Sequence, residues 1–215
     1  KLNNKLKDIP RNKKIFFIGK TNTGKSSLIN KLLEINKKQP TLSTSPFMNT
    51  TLDLKKIKLD KLEIIDTPGF IDKTNILNFV DAKFSKSILT VNGVNSKNYY
   101  LSSNQSILIE KLAIFNYLVG DKNNFTFYLS KNLNLLRCKY EKALSNFNNE
   151  NISAISYNST MKLDLITHKF TLNKNKKYNL YINGLVMISI NAGAEEISVT
   201  LDKNIGVILS ETAII

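Results

Sequence analysis

The chain has 215 residues, 42% of them hydrophobic and 22% charged, with 31 Lys and Arg against 17 Asp and Glu. That length supports one large domain or two small ones, and the composition is that of a globular chain, not of a disordered or fibrous one. A single cysteine, Cys138, excludes an internal disulfide and a cysteine-rich zinc site and fits a reducing compartment; no apolar run reaches membrane-spanning length. The formal charge of +14 favours an anionic macromolecule as partner, most often nucleic acid, although Lys and Asn abound throughout and a coding bias would give the same balance.

Residues 1–14 are polar, without the apolar core of a signal peptide. Leu2, Leu6 and Ile9 lie at helical spacing and predict the last turns of a helix closed by Pro10, so a preceding segment is expected. A basic connector, residues 11–14, leads to Ile15-Phe16-Phe17-Ile18, which predicts a buried parallel strand. Next comes Gly19-Lys20-Thr21-Asn22-Thr23-Gly24-Lys25-Ser26, which fits G-x-x-x-x-G-K-[ST] at every fixed position. Leu28, Ile29, Leu32 and Leu33 then share one helical face, to about Asn36. In the order strand, glycine loop, helix, successive backbone N–H groups and the helix N-terminus form a concave, positive site for phosphate oxygens. Gly19 and Gly24 permit the backbone angles and close approach; Lys25 would reach the β- and γ-phosphates, and Ser26 would place its hydroxyl on Mg2+. Thr21, Asn22, Thr23 and Ser27 complete the expected phosphate-binding set.

Residues 37–49 are polar, hold Pro40 and Pro46, and predict a mobile loop. Residues 51–59 return to strand character, with a shift at Lys55-Lys56 that hints at a bulge. Asp60-Lys61 makes a tight turn into Leu62-Glu63-Ile64-Ile65, an antiparallel hairpin by its short connection. That strand ends in Asp66-Thr67-Pro68-Gly69, at the strand end where open α/β sheets hold their ligands. Asp66 can hold Mg2+ through water, and Gly69 can offer its N–H to a terminal phosphate. Together these residues imply Mg2+-dependent hydrolysis of a nucleoside triphosphate, with loss of the γ-phosphate releasing residues 40–49 and 69–73.

Residues 19–26, Thr50-Thr51 and residues 66–69 resemble the first, second and third guanine-nucleotide motifs of a translation-factor-type GTPase. The forms GKTNTGKS, MNTTLD and DTPGF resemble in particular the circularly permuted YqeH-type GTPases. The likeness continues through Phe79-Val80-Asp81-Ala82, Leu136-Arg137-Cys138-Lys139-Tyr140-Glu141-Lys142 and Asn183-Gly184-Leu185, over nearly the whole chain. The resemblance implies GTP and GDP as ligands and Lys25, Thr51 and Gly69 as the catalytic set. It implies that Ser26, Thr51 and Asp66 serve Mg2+, with Thr51 preferred over Thr50 by the family's doubled threonine, and that Asn22 ligates a K+ ion standing in for an arginine finger. It also implies ribosomal RNA or a small ribosomal subunit precursor as partner. The setting would be cytoplasmic, unless an organelle imports a longer precursor. No Asn-Lys-x-Asp base-reading motif occurs in the chain. In a permuted protein it would lie upstream, behind a zinc finger, so the chain is expected to be a C-terminal portion that selects guanine poorly. Phe70 stands where several small GTPases place a water-orienting Gln, and slow intrinsic turnover is expected.

The predicted fold class is an α/β P-loop GTPase portion, permuted and partial, over residues 1–95, followed by a β-rich α+β domain over residues 96–215. Residues 81–105 give no clear period, and residues 152–164 are unassigned. Strands are expected at 107–119, 125–129, 133–137, 170–172, 178–182, 185–191, 197–201 and 205–209, with a short helix at 138–147. His168 and Cys138 are read as structural. Phe115, Tyr117, Phe125, Phe127, Tyr128, Tyr178 and Tyr181 are either core or a base-stacking surface, with core favoured at strand spacing; Arg137 and Lys139 are better candidates for surface contacts. Two other functions stay open: a GTPase acting on tRNA or at a membrane, and a non-catalytic fragment that binds RNA or protein.

Overall fold

The computed structural model describes residues 2–20, 24–42, 54–70, 72–89 and 93–212. The chain divides into two compact units, Lys1–Asp72 and Lys73–Ile215.

The first unit contains α1 (Leu2–Lys7), β1 (Lys14–Phe17), α2 (Lys25–Ile35), β2 (Lys55–Leu59) and β3 (Leu62–Asp66). Its sheet has the order β1-β3-β2, with β1 parallel to β3 and β2 antiparallel to it. The β2–β3 hairpin turns at Asp60, a non-glycine residue with φ 52°. Pairing runs without interruption from Lys55↔Asp66 to Leu59↔Leu62, so the bulge hinted at Lys55-Lys56 does not form. Ile29, Leu32 and Leu33 bury one face of α2 against Leu59, Leu62, Ile64 and Leu6, as their spacing predicts, whereas Leu28 of the same expected face is 45% exposed. β1 departs from the expected fully buried strand. Ile15 and Phe17 pack toward that core, while Phe16 is 52% and Ile18 64% exposed. The physical reason is alternation: a strand with a helix on one face buries every second residue.

The second unit opens with a 3-10 turn (Ile76–Asn78) and α3 (Ala82–Ile88), and its strands are β4 (Val94–Leu101), β5 (Gln105–Ile109), β6 (Ala113–Gly120), β7 (Asn123–Ser130), β8 (Leu135–Lys139), β9 (Leu165–Thr171), β10 (Tyr178–Ile182), β11 (Val186–Ile190), β12 (Ala194–Asp202) and β13 (Val207–Glu211), with α4 (Tyr140–Asn148) after β8. They form two five-stranded antiparallel sheets, β13-β10-β11-β7-β4 and β8-β5-β6-β12-β9. The sheets meet through aromatic contacts: Phe115 lies 5.2 Å from Phe125 and 5.6 Å from Phe127, and Tyr117 lies 4.9 Å from Phe125, ring centre to ring centre. All four rings are fully buried, so these members of the aromatic set are core. The other face of β5 and β6 carries a buried polar row. Ser106 Oγ donates to Asn116 Oδ1 (2.6 Å), and Asn116 Nδ2 donates to Ser198 Oγ (3.0 Å), satisfying groups that would otherwise destabilise the interior.

Three expectations change here. The single strand expected at 107–119 is a hairpin, β5 and β6, turned at Glu110 with φ 49°. The featureless stretch 81–105 holds α3 and β4. Ile76, Val80 and Ile88 belong to the core of the second unit, so the two units divide at Asp72/Lys73, earlier than residue 95.

Candidate functional site: the phosphate loop and the ends of β1 and β3

α2 starts at Lys25 behind Gly24, whose left-handed backbone (φ 84°, ψ 16°) strains any side-chain-bearing residue. Gly24 supplies no capping side chain, and the first turn of α2 carries no acidic residue. The amides and partial positive charge of the helix start are therefore left for a ligand. The Lys25 ammonium folds back over the loop, donating to the carbonyl oxygens of Gly19 (3.2 Å) and Lys20 (2.9 Å). One residue on, Ser26 Oγ donates to Asp66 Oδ2 at 2.6 Å.

Asp66 is fully buried at the last position of β3, opposite Phe17 of β1. Its second oxygen, Oδ1, is also buried and finds no hydrogen-bond partner among the described residues. A buried carboxylate with one satisfied oxygen is destabilising unless something else completes it. The fit to Mg2+ is direct: a hard cation takes oxygen ligands, commonly one or two carboxylates together with substrate phosphates and water. Asp66 and Ser26 supply that kind of oxygen set beside the phosphate loop.

The residues after Asp66 are fastened to the loop. Thr67 Oγ1 donates to the Phe17 carbonyl (2.8 Å), and Phe70 N donates to the Gly19 carbonyl (3.1 Å). Lys20 and Phe70 form an isolated parallel bridge, and the Lys20 ammonium meets Asp72 at 2.6 Å. Gly69 is half-buried within this strap and Phe70 is 65% exposed. Ser27 lies exposed in the first turn of α2. Thr21, Asn22, Thr23, Thr50 and Thr51 lie outside the described residues, as do residues 43–49 of the predicted loop.

Sequence reasoning missed three participants. Lys20 and Asp72 occupy freely varying positions of their motifs, and only the fold brings them together. Asn30 of α2 accepts from Leu42 N (3.1 Å) and donates to the Leu42 carbonyl (2.8 Å), fixing the chain just before residue 43. The remaining titratable candidates lie in the second unit. Cys138 is half-buried, and burial pushes its thiol up from the usual range. His168 sits on β9 with a buried Nε2 that lacks a partner among the described residues. No described helix is long and apolar enough to cross a membrane.

The sequence model of the 50S ribosome-binding GTPase family matches residues 14–130, which include the loop, both strand ends and the first strands of the second unit. The chain is also similar to YqeH of Bacillus subtilis (strain 168), described as an uncharacterized protein. Identity is 26% over 208 residues, covering 94% of the chain and 57% of that protein's length.

Proposed function

The chain belongs to the 50S ribosome-binding GTPase family, and from that premise we propose that it is a GTP-hydrolysing switch acting on ribosomal RNA or a ribosomal subunit precursor. The observation that carries the proposal is the Ser26–Asp66 pair beside the loop, with one carboxylate oxygen buried and unsatisfied. GTP phosphates would take the helix-start amides, and Lys25 would turn its ammonium from the Gly19 and Lys20 carbonyls onto them. Ser26 and Asp66 would hold Mg2+, with Thr51, and the ion would supply charge neutralisation on the phosphates. Gly69 N–H senses the γ-phosphate, and the strap from Thr67 to Asp72 reports its loss to the rest of the chain. Asn22 is proposed as a K+ ligand by the resemblance of its loop to G-x-x-N-x-G-K-S loops. Phe70 offers no group to orient water, which supports slow turnover without that ion.

The chain spans little more than half of its relative's length, and the base-reading residues are proposed to lie outside it. The resemblance to YqeH-type proteins favours a small-subunit precursor, while the name of the family favours the large subunit. Titration with GTP and ATP, hydrolysis in K+ against Na+, and co-sedimentation with purified small and large subunits in a non-hydrolysable GTP analogue test the proposal together. The expected result is weak, poorly base-selective binding, faster hydrolysis in K+, and subunit association that depends on nucleotide and disappears in Lys25→Ala. Association indifferent to nucleotide and to Lys25→Ala would mean a non-catalytic binding fragment instead.

A further inference from the structure

The outward face of the sheet β13-β10-β11-β7-β4 is built in rows that the sequence does not announce. Pairing registers align Ser96, Tyr128, Met187, Tyr181 and Ile208 across all five strands. The next row is Asn98, Thr126, Ser189, Asn179 and Ser210. Their neighbours in sequence, among them Phe125, Phe127, Ile188 and Leu180, point into the core, so both rows lie on the outer side. Tyr128 is 37% and Ile208 50% exposed, and Tyr181 and Met187 are half-exposed. Neither row contains a charged residue, in a chain of which 22% is charged.

Lysines stand at the margin formed by the start of β10 and the end of β4, where Glu211 of β13 is taken up by Lys176 at 2.9 Å. Two residues along β4 from Asn98 is Tyr100, 55% exposed, with the Lys122 ammonium 5.1 Å from its ring centre. Along the same margin, exposed Lys177 precedes β10, its carbonyl accepting from Thr212 N. The face therefore reads, from margin to middle, as cations, then amides and hydroxyls, then aromatic and thioether surface.

We propose that this face binds single-stranded nucleic acid, with bases stacked on Tyr128 and Tyr181. Sheet geometry sets those two rings roughly 10 Å apart, two strands from one another. Asn98, Asn179 and Ser189 face the edges of the stacked bases, and Lys122 and Lys177 meet the phosphates. A duplex hides its base faces and gains nothing from such a row. An acidic protein would be drawn to the lysine margin, but the neutral rows offer it no ion pairs. The inference rests on the RNA-binding reading above and gives it a location.

The test is fluorescence anisotropy with the full chain and a labelled, mixed-sequence single-stranded RNA of about a dozen nucleotides. Loss of a stacking ring costs on the order of tenfold in affinity, so Tyr128→Ala with Tyr181→Ala is expected to raise Kd at least tenfold. Tyr128→Phe with Tyr181→Phe keeps the rings and should stay within about threefold of the parent, which separates stacking from misfolding; far-UV circular dichroism checks both. Photo-cross-links to the RNA should map to β7 and β10. RNA binding unchanged by the alanine pair, cross-links elsewhere, or equal affinity for duplex RNA overturns this surface while leaving RNA binding intact. No binding of RNA even at low salt overturns the RNA-binding reading as well. Loss of association with a purified ribosomal protein in the alanine pair, with RNA affinity unaltered, assigns the face to protein.

Discussion

Asp66 concentrates the functional argument in one side chain. It is fully buried, one oxygen takes the Ser26 hydroxyl, and the other takes nothing among the described residues. Such a group is kept at a cost to stability, because a buried charge without full compensation favours unfolding. Asp66→Asn preserves the shape and can still accept from Ser26. In metal-free protein the variant is expected to melt no lower than the parent, and higher by a few degrees if about 1 kcal/mol of desolvation is relieved. Its Mg2+-dependent gain in GTP affinity should fall at least tenfold, since a neutral amide is a poor ligand for a hard cation. Thermal melts by circular dichroism and nucleotide titrations with and without Mg2+ read the two effects separately. A variant less stable without metal but still Mg2+-dependent would make Asp66 a packing residue. Among the described residues, Gly24, Lys25, Ser26 and Asp66 were legible as candidates in the sequence, because phosphate cradles need particular residue types at fixed spacing. Lys20–Asp72 was not, since a 52-residue separation leaves no local pattern.

At the scale of elements, the segment that opens the second unit is held by that unit's own turns. Two residues beyond Asp72, Thr74 accepts through its carbonyl from Gly206 N (3.0 Å) and through Oγ1 from Asn183 Nδ2 (2.7 Å), and Ile76 N donates to the Asn183 carbonyl (3.0 Å). Gly184 lies in the β10–β11 turn at φ 77°, and a side chain there would overlap Asn75, whose Oδ1 accepts from Leu77 N at 3.0 Å. Gly184→Ala therefore meets both a backbone penalty and a blocked space. The expected loss is about 2–3 kcal/mol, read as a lower denaturant midpoint with unchanged slope. A loss below about 0.5 kcal/mol would mean that Asn75 moves aside and the clamp is soft. The gap between the strands expected at 178–182 and 185–191 leaves this turn its place, with Gly184 at the left-handed position. The β5–β6 turn was not readable in the sequence. Glu110 takes the left-handed conformation without glycine because its carboxylate is held by Asn134 N and Ser153 Oγ, partners far along the chain. β4 escaped notice for another reason: an edge strand whose outer row is Ser96, Asn98 and Tyr100 shows no apolar alternation.

At the scale of the whole molecule the question is what the +14 charge does. Residues 1–72 hold 15 of the 31 Lys and Arg and 7 of the 17 Asp and Glu, a net +8, leaving +6 for residues 73–215. Both units are basic, so charge alone does not say which one meets an anionic polymer, and inflated lysine content would give the same division. Salt dependence separates the two accounts. Each phosphate neutralised on a single strand contributes about −0.7 to the slope of log K against log salt. With Lys122 and Lys177 as its phosphate contacts, the face predicts a slope of about −1.4. Lys122→Gln with Lys177→Gln should make that slope shallower by roughly 1.4, because two phosphate contacts are removed. Tyr128→Ala with Tyr181→Ala should weaken binding at every salt concentration and leave the slope unchanged, because stacking releases no counterions. Anisotropy titrations of the same RNA at several salt concentrations measure both. If the lysine pair leaves the slope intact, the phosphates lie elsewhere and the charge at this margin is compositional. If the tyrosine pair changes the slope instead, the rings act by positioning cations, and the assignment of bases to the aromatic row is wrong.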